Sequence, residues 1–405
     1  MSRTLENNQW VVASFKKPLL WNRTDDEVWM FNPRRRYILN ACHLPHVNEH
    51  IETLFDLRTS AYYKPLTAGV SLAGARILME RVRDRGIGDM LFLTGPMEYI
   101  RHISGASAKI DLYGLTDRHQ ILWWHQALEH KAVLAGPSMY DDLPQYDYHW
   151  FIDHATECNE EPDRDHPNVY DALYRQVGID PASVPAEFKR PTLYLVEKDF
   201  QDLDAFYFHI YRATGLDVRS TPYYVVAPLA NSSLRSVPYT LWLETIQELA
   251  KARPVIVIGQ THGKIPATDM PFIEFQQRLA ALAQGGNKII SCLGAVPLRV
   301  TAGLISRAVC LVTLDSGMLY VAQALRRPAV SLWGTHNPRS RLGYDKAYMD
   351  LAIWHKAACK HSPCYAYAAW PTAKCPGGDS QRICHPLAAV SASDILGKVT
   401  LVEKS

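Results

Sequence analysis

Two strand ends in this sequence carry residues that could do chemistry. Val309 to Leu314 is apolar and β-rich apart from Thr313, the pattern of a parallel strand covered on both faces. Asp315, Ser316 and Gly317 then fall at the strand's carboxyl end, where open α/β sheets bind ligands. Met318, Leu319, Val321, Ala322 and Leu325 recur at helical spacing until Arg326, Arg327 and Pro328 stop the helix. Backbone N–H groups at such a helix start, unencumbered at Gly317, seat phosphate, so a nucleotide diphosphate is the first ligand to expect. The second carboxylate is Asp89, at the end of the turn Arg83-Asp-Arg-Gly-Ile-Gly-Asp89. That turn puts an acid at the carboxyl end of another strand, facing an interdomain cleft. The structural alternative for Asp89 is the N-cap of the helix that follows. Gly86 and Gly88 lack the spacing of a dinucleotide fingerprint and no Gly-Lys-Ser/Thr follows, so neither a nicotinamide cofactor nor a P-loop is supported.

Cysteines form the third group. Cys42, Cys158, Cys292 and Cys310 are scattered, and the last two lie in apolar strands as buried, inert thiols. Cys359, Cys364, Cys375 and Cys384 cluster at finger-like spacing. In a reducing compartment four thiolates suit a tetrahedral structural metal, zinc or iron. The spacings are looser than paired CxxC motifs, so reduced or disulfide-linked cysteines stay open as alternatives. Catalytic thiol chemistry is not expected from them.

The elements that position these groups follow a βα rhythm. Residues 1–72 read as a small β-rich appendage, with short strands at Gln9–Phe15, Glu27–Phe31 and Tyr37–Asn40 between Pro, Asn and Asp turns. A first α/β domain spans 73–182. Arg76–Glu80 is its first strand, Met90–Ile103 a helix, Lys109–Tyr113 a strand, Arg118–Leu128 a helix, and Ala132–Ala135 and His149–Asp153 are further strands. Glu157–Pro167 is a polar surface loop. Residues 183–221 form a linker containing an aromatic helix, Phe200–Ala213. The second α/β domain, 222–405, starts with strand Tyr223–Ala227. Helix Tyr239–Lys251, strand Pro254–Gly259, helix Phe272–Ala283, strand Lys288–Cys292 and helix Leu298–Ser306 lead to the Asp315 stretch, and the Cys-rich insert 359–384 follows. Alternation on both sides of the linker predicts two doubly wound, Rossmann-like domains facing a cleft.

Composition excludes several classes. The apolar fraction of 47% and charged fraction of 21% are those of an ordinary globular chain. A net charge of only +2 argues against a whole-chain nucleic-acid binder, although Arg34-Arg35-Arg36 could touch an anionic acceptor. No apolar run approaches a membrane span and the first residues lack a signal-peptide core, so cytoplasmic residence is expected.

Several of these pieces together resemble glycosyltransferase family 9, the heptosyltransferase-like enzymes of the GT-B fold. They are Gly88-Asp89 followed by Pro96, the loop Leu234-Arg-Ser-Val-Pro-Tyr-Thr-Leu-Trp242, and Asp315-Ser-Gly-Met318 with its helix. Val330-Ser-Leu-Trp-Gly-Thr-His-Asn-Pro338 and the tail Ser362-Pro-Cys-Tyr…Cys375-Pro…Cys384 complete the set. The resemblance covers about residues 75 to 400 and leaves the N-terminal stretch aside. It implies an inverting transfer of a sugar, heptose or related, from a nucleotide-diphosphate donor to an acceptor hydroxyl on a glycan such as lipopolysaccharide core, or on a protein. Asp89 matches the family's general base. Arg235 takes the position of a Lys that contacts the diphosphate, and Arg keeps that role because it is always protonated and grips phosphate bidentately. Ser316, Gly317 and Met318 would hold the diphosphate with Asp315 ordering the turn, while Gly259, Gln260 and Thr261 border the nucleoside. Where some heptosyltransferases carry His this chain has Tyr320, which donates a hydrogen bond but carries no positive charge near neutral pH. No metal is implied for catalysis. The cysteine cluster resembles the iron-binding finger of autotransporter heptosyltransferases.

Two other functions suit the same residues. A transferase acting on hydroxymethylated DNA bases would use the basic triplet and the aromatics, against the near-neutral charge. A non-catalytic nucleotide-sugar-binding protein would have no need of both Asp89 and Arg235.

Overall fold

The computed structural model describes residues 9–24, 27–81, 86–113, 121–122, 125, 128, 139–152, 168–230, 232–261, 268–286, 288–364, 375 and 383–405. Arg83–Arg85 of the glycine turn, most of the helix expected at 118–128, the strand expected at 132–135 and the loop 157–167 lie outside them. The chain divides into two compact units, 1–158 with 169–189, and 159–168 with 190–405.

Among the described residues, unit 1 holds eight strands: β1 Trp10–Phe15, β2 Leu19–Thr24, β3 Glu27–Phe31, β4 Arg36–Asn40, β5 Ile51–Asp56, β6 Arg76–Arg81, β7 Lys109–Tyr113 and β8 Tyr148–Ile152. β1 pairs antiparallel with β4 and β5, β2 with β3, and β6 lies parallel between β7 and β8. Every residue of β1 is buried. Side chains alternate across a strand, and both faces of this one are covered. Val11, Ala13 and Phe15 pack with Trp29, Phe31 and Leu39. Trp10 and Val12 face the other way, with Leu78 of β6 and Phe151 of β8. The β-rich stretch therefore shares a core with the first parallel sheet.

The helix after β6 differs from the single Met90–Ile103 run that periodicity predicts. It begins at Ile87, capped by Gly86, and breaks at Leu93 into Ile87–Phe92 and Thr94–Ile103. Pro96 explains the break, because it has no N–H to give the preceding turn and its ring crowds the carbonyl four residues back. Asp89 is consequently inside the first turn rather than at the N-cap.

Unit 2 is built on a six-stranded parallel sheet: β9 Tyr224–Ala227, β10 Val255–Gly259, β11 Ile289–Leu293, β12 Cys310–Leu314, β13 Ala329–Leu332 and β14 Ala352–Ile353. The spatial order is β11-β10-β9-β12-β13-β14. Counted from β9 this is 3-2-1-4-5-6, the doubly wound order in which ligands bind where the winding reverses, between the first and fourth strands. Here that point lies at the carboxyl ends of β9 and β12. Helices Tyr239–Ala252, Phe272–Gln284, Leu298–Arg307, Gly317–Ala324 and Ala392–Lys404 serve the sheet. The aromatic helix expected in the linker runs Glu197–Thr214 and belongs to this unit. It starts earlier than its apolar spacing suggests because Asp199 accepts from the Val196 N–H at 2.8 Å. Asp199 also receives Arg299 Nε at 2.9 Å in a buried pair that ties this helix to Leu298–Arg307.

Candidate functional site

At the reversal point of the unit 2 sheet, three loops deliver polar side chains to one carboxylate. Asp315 follows β12, and its N–H donates to Leu332 of the neighbouring β13 at 3.1 Å, so strand pairing fixes where the side chain starts. Tyr320, one turn into helix Gly317–Ala324, donates its hydroxyl to Asp315 Oδ1 at 2.6 Å. Arg235, from the loop after β9, donates to the Asp315 backbone carbonyl and stands 3.9 Å from Oδ1. His336, from the segment after β13, places Nδ1 3.7 Å from Oδ2.

Burial alone would raise the Asp315 carboxyl. Arg235, then His336 and Arg341, and the Tyr320 hydrogen bond outweigh it and hold the group below the ordinary carboxylate range. Burial, and next the Asp315 charge, push Tyr320 well above the usual phenol value. Tyr320 is therefore a neutral donor and Asp315 an anion. Two guanidinium groups, Arg235 and Arg341, thus act on one carboxylate beside the helix start at Ser316-Gly317. Ser316, Gly317 and Met318 are all partly exposed there. Thr313 steadies the turn, its hydroxyl donating to Ala227 of β9 at 3.1 Å and lying 3.2 Å from Ser316 Oγ.

Gly259, Gln260 and Thr261 leave the end of β10. The Gly294 N–H donates to the Gly259 carbonyl at 2.7 Å, which ties the ends of β10 and β11 together. Gly294 has φ +72°, and a Cβ there would fall 2.3 Å from Thr261 Oγ1, so glycine is required beneath that side chain.

Asp89 lies in unit 1, on the first turn of helix Ile87–Phe92, and is partly exposed. A Cβ at Gly86 would sit 2.6 Å from Asp89 Oδ2. The glycine of the turn thus makes room for this carboxylate to fold back over the helix start.

Thus Arg235, Asp315, Ser316, Gly317 and Tyr320 come together as one cluster, with Met318 on the same helix. Gly259, Gln260 and Thr261 sit on another strand end of the same sheet, and Asp89 is in the other unit. Sequence reading missed a role for His336 and Arg341. Their signal was position: both follow β13, whose neighbour β12 carries Asp315.

Cys359, Cys364, Cys375 and Cys384 are thiols, and only Cys384 is fully buried. Burial first, then the neighbouring Cys364, Cys359 and Cys375, push the Cys384 thiol up to about 12. A metal would reverse the effect by binding thiolates, and four sulfur donors fit zinc or iron chemically. Among the described residues, however, no three His, Cys, Asp or Glu side chains stand in ligand geometry. Cys292 and Cys310 are pushed up to about 12 by burial and are inert, as their strands predict. No described helix is long and apolar enough to cross a membrane.

Residues 197–368 match the family model for glycosyltransferase family 9 (heptosyltransferase). No curated protein matches the sequence. Among solved structures, the chain is similar to heptosyltransferase II of E. coli at 16% identity and a TM-score of 0.56, over 82% of this chain and 100% of that one. A family 9 glycosyltransferase from Veillonella parvula is 14% identical, with a TM-score of 0.53, over 83% and 99%. The dodecameric, iron-containing glycosyltransferase TibC of enterotoxigenic E. coli is 14% identical, with a TM-score of 0.53, over 99% and 92%. TibC has also been solved in complex with ADP-D-β-D-heptose. These likenesses establish the GT-B fold that the motifs imply. Residues 197–368 are thus similar to glycosyltransferase family 9 (heptosyltransferase), and the solved structures show that the chain shares the fold of these enzymes.

Proposed function

We propose that this enzyme transfers heptose or a related sugar, with inversion, from a nucleotide-diphosphate donor to an acceptor hydroxyl on a glycan or a protein. The observation that carries the reading is the meeting of Arg235 and Asp315 at the reversal point of the unit 2 sheet, beside the open helix start at Gly317. A diphosphate placed there gains backbone N–H donors and a fixed guanidinium that can grip it bidentately. As the donor's glycosidic bond breaks, charge grows on the leaving phosphate, where Arg235 stabilises it. Asp315 orders the turn and orients Arg235 without touching the sugar. Tyr320 serves Asp315, and the loop Gly259-Gln260-Thr261 borders the nucleoside. Asp89 takes the acceptor's proton as the hydroxyl attacks the anomeric carbon.

The complex of TibC with ADP-D-β-D-heptose supports an ADP-heptose-type donor. The iron in TibC supports iron, with zinc second, as a structural metal for the cysteine cluster, held as thiolates of Cys359, Cys364, Cys375 and Cys384. Cytoplasmic residence, where nucleotide sugars and reduced thiols are available, belongs to the same reading.

The test is incubation with a mixture of ADP-heptose and the common UDP-, GDP- and ADP-hexoses, with glycan and protein acceptors, followed by mass spectrometry. Transfer of heptose with an inverted anomeric centre is the expected result. Transfer only to hydroxymethylated DNA would support the nucleic-acid alternative, and nucleotide-sugar binding without turnover the non-catalytic one.

A further inference from the structure

One residue, Gly334, joins the cysteine cluster to the Asp315 site. Its carbonyl accepts from Ser362 Oγ at 3.2 Å and from the Trp354 indole at 3.3 Å. Ser362 lies between Cys359 and Cys364 in the chain and itself accepts from the same indole at 3.1 Å. The Cα of Gly334 is pressed against the far end of the cluster. A Cβ built there would lie 3.1 Å from Cys384 Sγ and 2.9 Å from Leu387 Cδ1. Gly334 is thus gripped from both ends of the cysteine segment, which leaves little room for a side chain.

The next two residues lead into the seat. Thr335 and His336 are buried, and Thr335 Oγ1 lies 2.9 Å from His336 Nδ1. The same ring nitrogen is 3.7 Å from Asp315 Oδ2, while Tyr320 and Arg235 attend Oδ1. His336 is only 4% exposed, so it acts on Asp315 rather than on a ligand. Side chains in such close-packed polar networks do not shift independently.

We propose that the cysteine cluster positions the donor seat: through Gly334 and His336 it sets Asp315, and through Asp315 the guanidinium of Arg235. Ser362, Gly334 and His336 are positioning residues in this scheme. It rests on Arg235 being the group that grips the donor's diphosphate.

The full-length protein and its variants are titrated calorimetrically with ADP, GDP and UDP, with melting temperature and transfer kinetics measured on the same preparations. Arg235→Ala tests the underlying reading. Ser362→Ala loosens the cluster's hold on Gly334, His336→Ala breaks the link to Asp315, and His336→Gln keeps a polar group there. Tyr223→Phe is the control, since its hydroxyl donates to Leu304 at 2.8 Å just before β9, at the amino end of the sheet. Ser362→Ala and His336→Ala should each weaken nucleotide binding by about 5- to 30-fold. The double variant should be no weaker than the poorer single one, as expected for residues acting in series. The donor KM should rise more than kcat falls, and His336→Gln should recover part of the affinity. Tyr223→Phe should lower the melting temperature and leave nucleotide affinity unchanged. If Arg235→Ala weakens binding but Ser362→Ala and His336→Ala bind like wild type, or their effects multiply, the coupling is overturned and the seat stands. If wild type binds none of the three nucleotides, or Arg235→Ala binds as well as wild type, the diphosphate reading itself is overturned and the coupling falls with it. Should His336→Ala fail to fold, Ser362→Ala and His336→Gln carry the same comparison.

Discussion

Arg235 reaches Asp315 through a backbone carbonyl as well as through charge, so it is aimed rather than merely attracted. An aimed guanidinium needs no reorganisation as charge develops on the leaving phosphate. Replacing Arg235 by Ala should therefore lower kcat and raise the donor KM, together costing about 2–4 kcal/mol in kcat/KM. Steady-state kinetics with the identified donor check this, and an unchanged kcat/KM would remove Arg235 from the site. Tyr320 makes a second, smaller case. Its phenol stays neutral and donates to a buried carboxylate, so Tyr320→Phe deprives that carboxylate of a partner without changing shape. A loss of about 1–3 kcal/mol of stability is expected, read from the denaturant midpoint. Of this cluster, Asp315 and its helix start were legible from local pattern, because a buried strand followed by Asp-Ser-Gly is a short-range signal. The convergence of His336 and Arg341 on Asp315 was not, since it depends on β13 pairing with β12.

At the scale of elements, burial decided what could be read. Strands such as β10 and β12, buried along their lengths, announce themselves as apolar runs, and the structure places them where those runs lie. β5 has mostly exposed or half-exposed residues after Ile51, and β14 has only two, so neither leaves a periodic trace. Helix Glu197–Thr214 was found by its apolar spacing, but its start depends on Asp199, a polar residue serving as both cap and ion-pair partner. That dual role is testable. Burial opposes the Asp199 charge, yet Arg299 and the Val196 N–H prevail and hold its carboxyl below the ordinary value of 3.8. A carboxyl whose folded pKa is depressed stabilises the fold above its unfolded pKa and loses that contribution as pH falls through the folded one. Wild type should thus lose stability on acidification below about pH 4, and Asp199→Ala should lose less over the same interval. At neutral pH that variant strands the buried Arg299 and should cost about 3–5 kcal/mol, measured by chemical denaturation. Equal acid sensitivity in the two proteins would show that other carboxylates govern the window.

At the scale of the whole molecule, each unit carries one carboxylate that the proposed chemistry uses, and the two stand in opposite environments. Asp315 is buried and spends its charge on Arg235, Tyr320 and His336, whereas Asp89 is partly exposed on the first turn of its helix, with Gly86 cleared beneath it. An acid kept accessible in this way can accept a proton from a substrate, while an acid surrounded by donors cannot readily do so. This difference in environment separates the proposed base from the proposed organiser more firmly than their sequence motifs did. It also separates the measurable consequences. The N-cap position is Gly86, and Asp89→Asn keeps the side chain's size and its acceptor oxygen on the first turn. Its melting temperature should stay within about 4 °C of wild type, the shift expected for roughly 1 kcal/mol in a large domain. Nucleotide-donor affinity, which the proposed function assigns to unit 2, should be unchanged. Transfer should fall by about two to four orders of magnitude, the usual contribution of a positioned base that an amide cannot replace. The three quantities are to be measured on one preparation, by thermal melting, calorimetry with the donor nucleotide and transfer assay. If transfer survives, the base lies elsewhere and Asp89 is only a first-turn residue of its helix. If donor affinity collapses along with transfer, the division of labour between the two units is wrong.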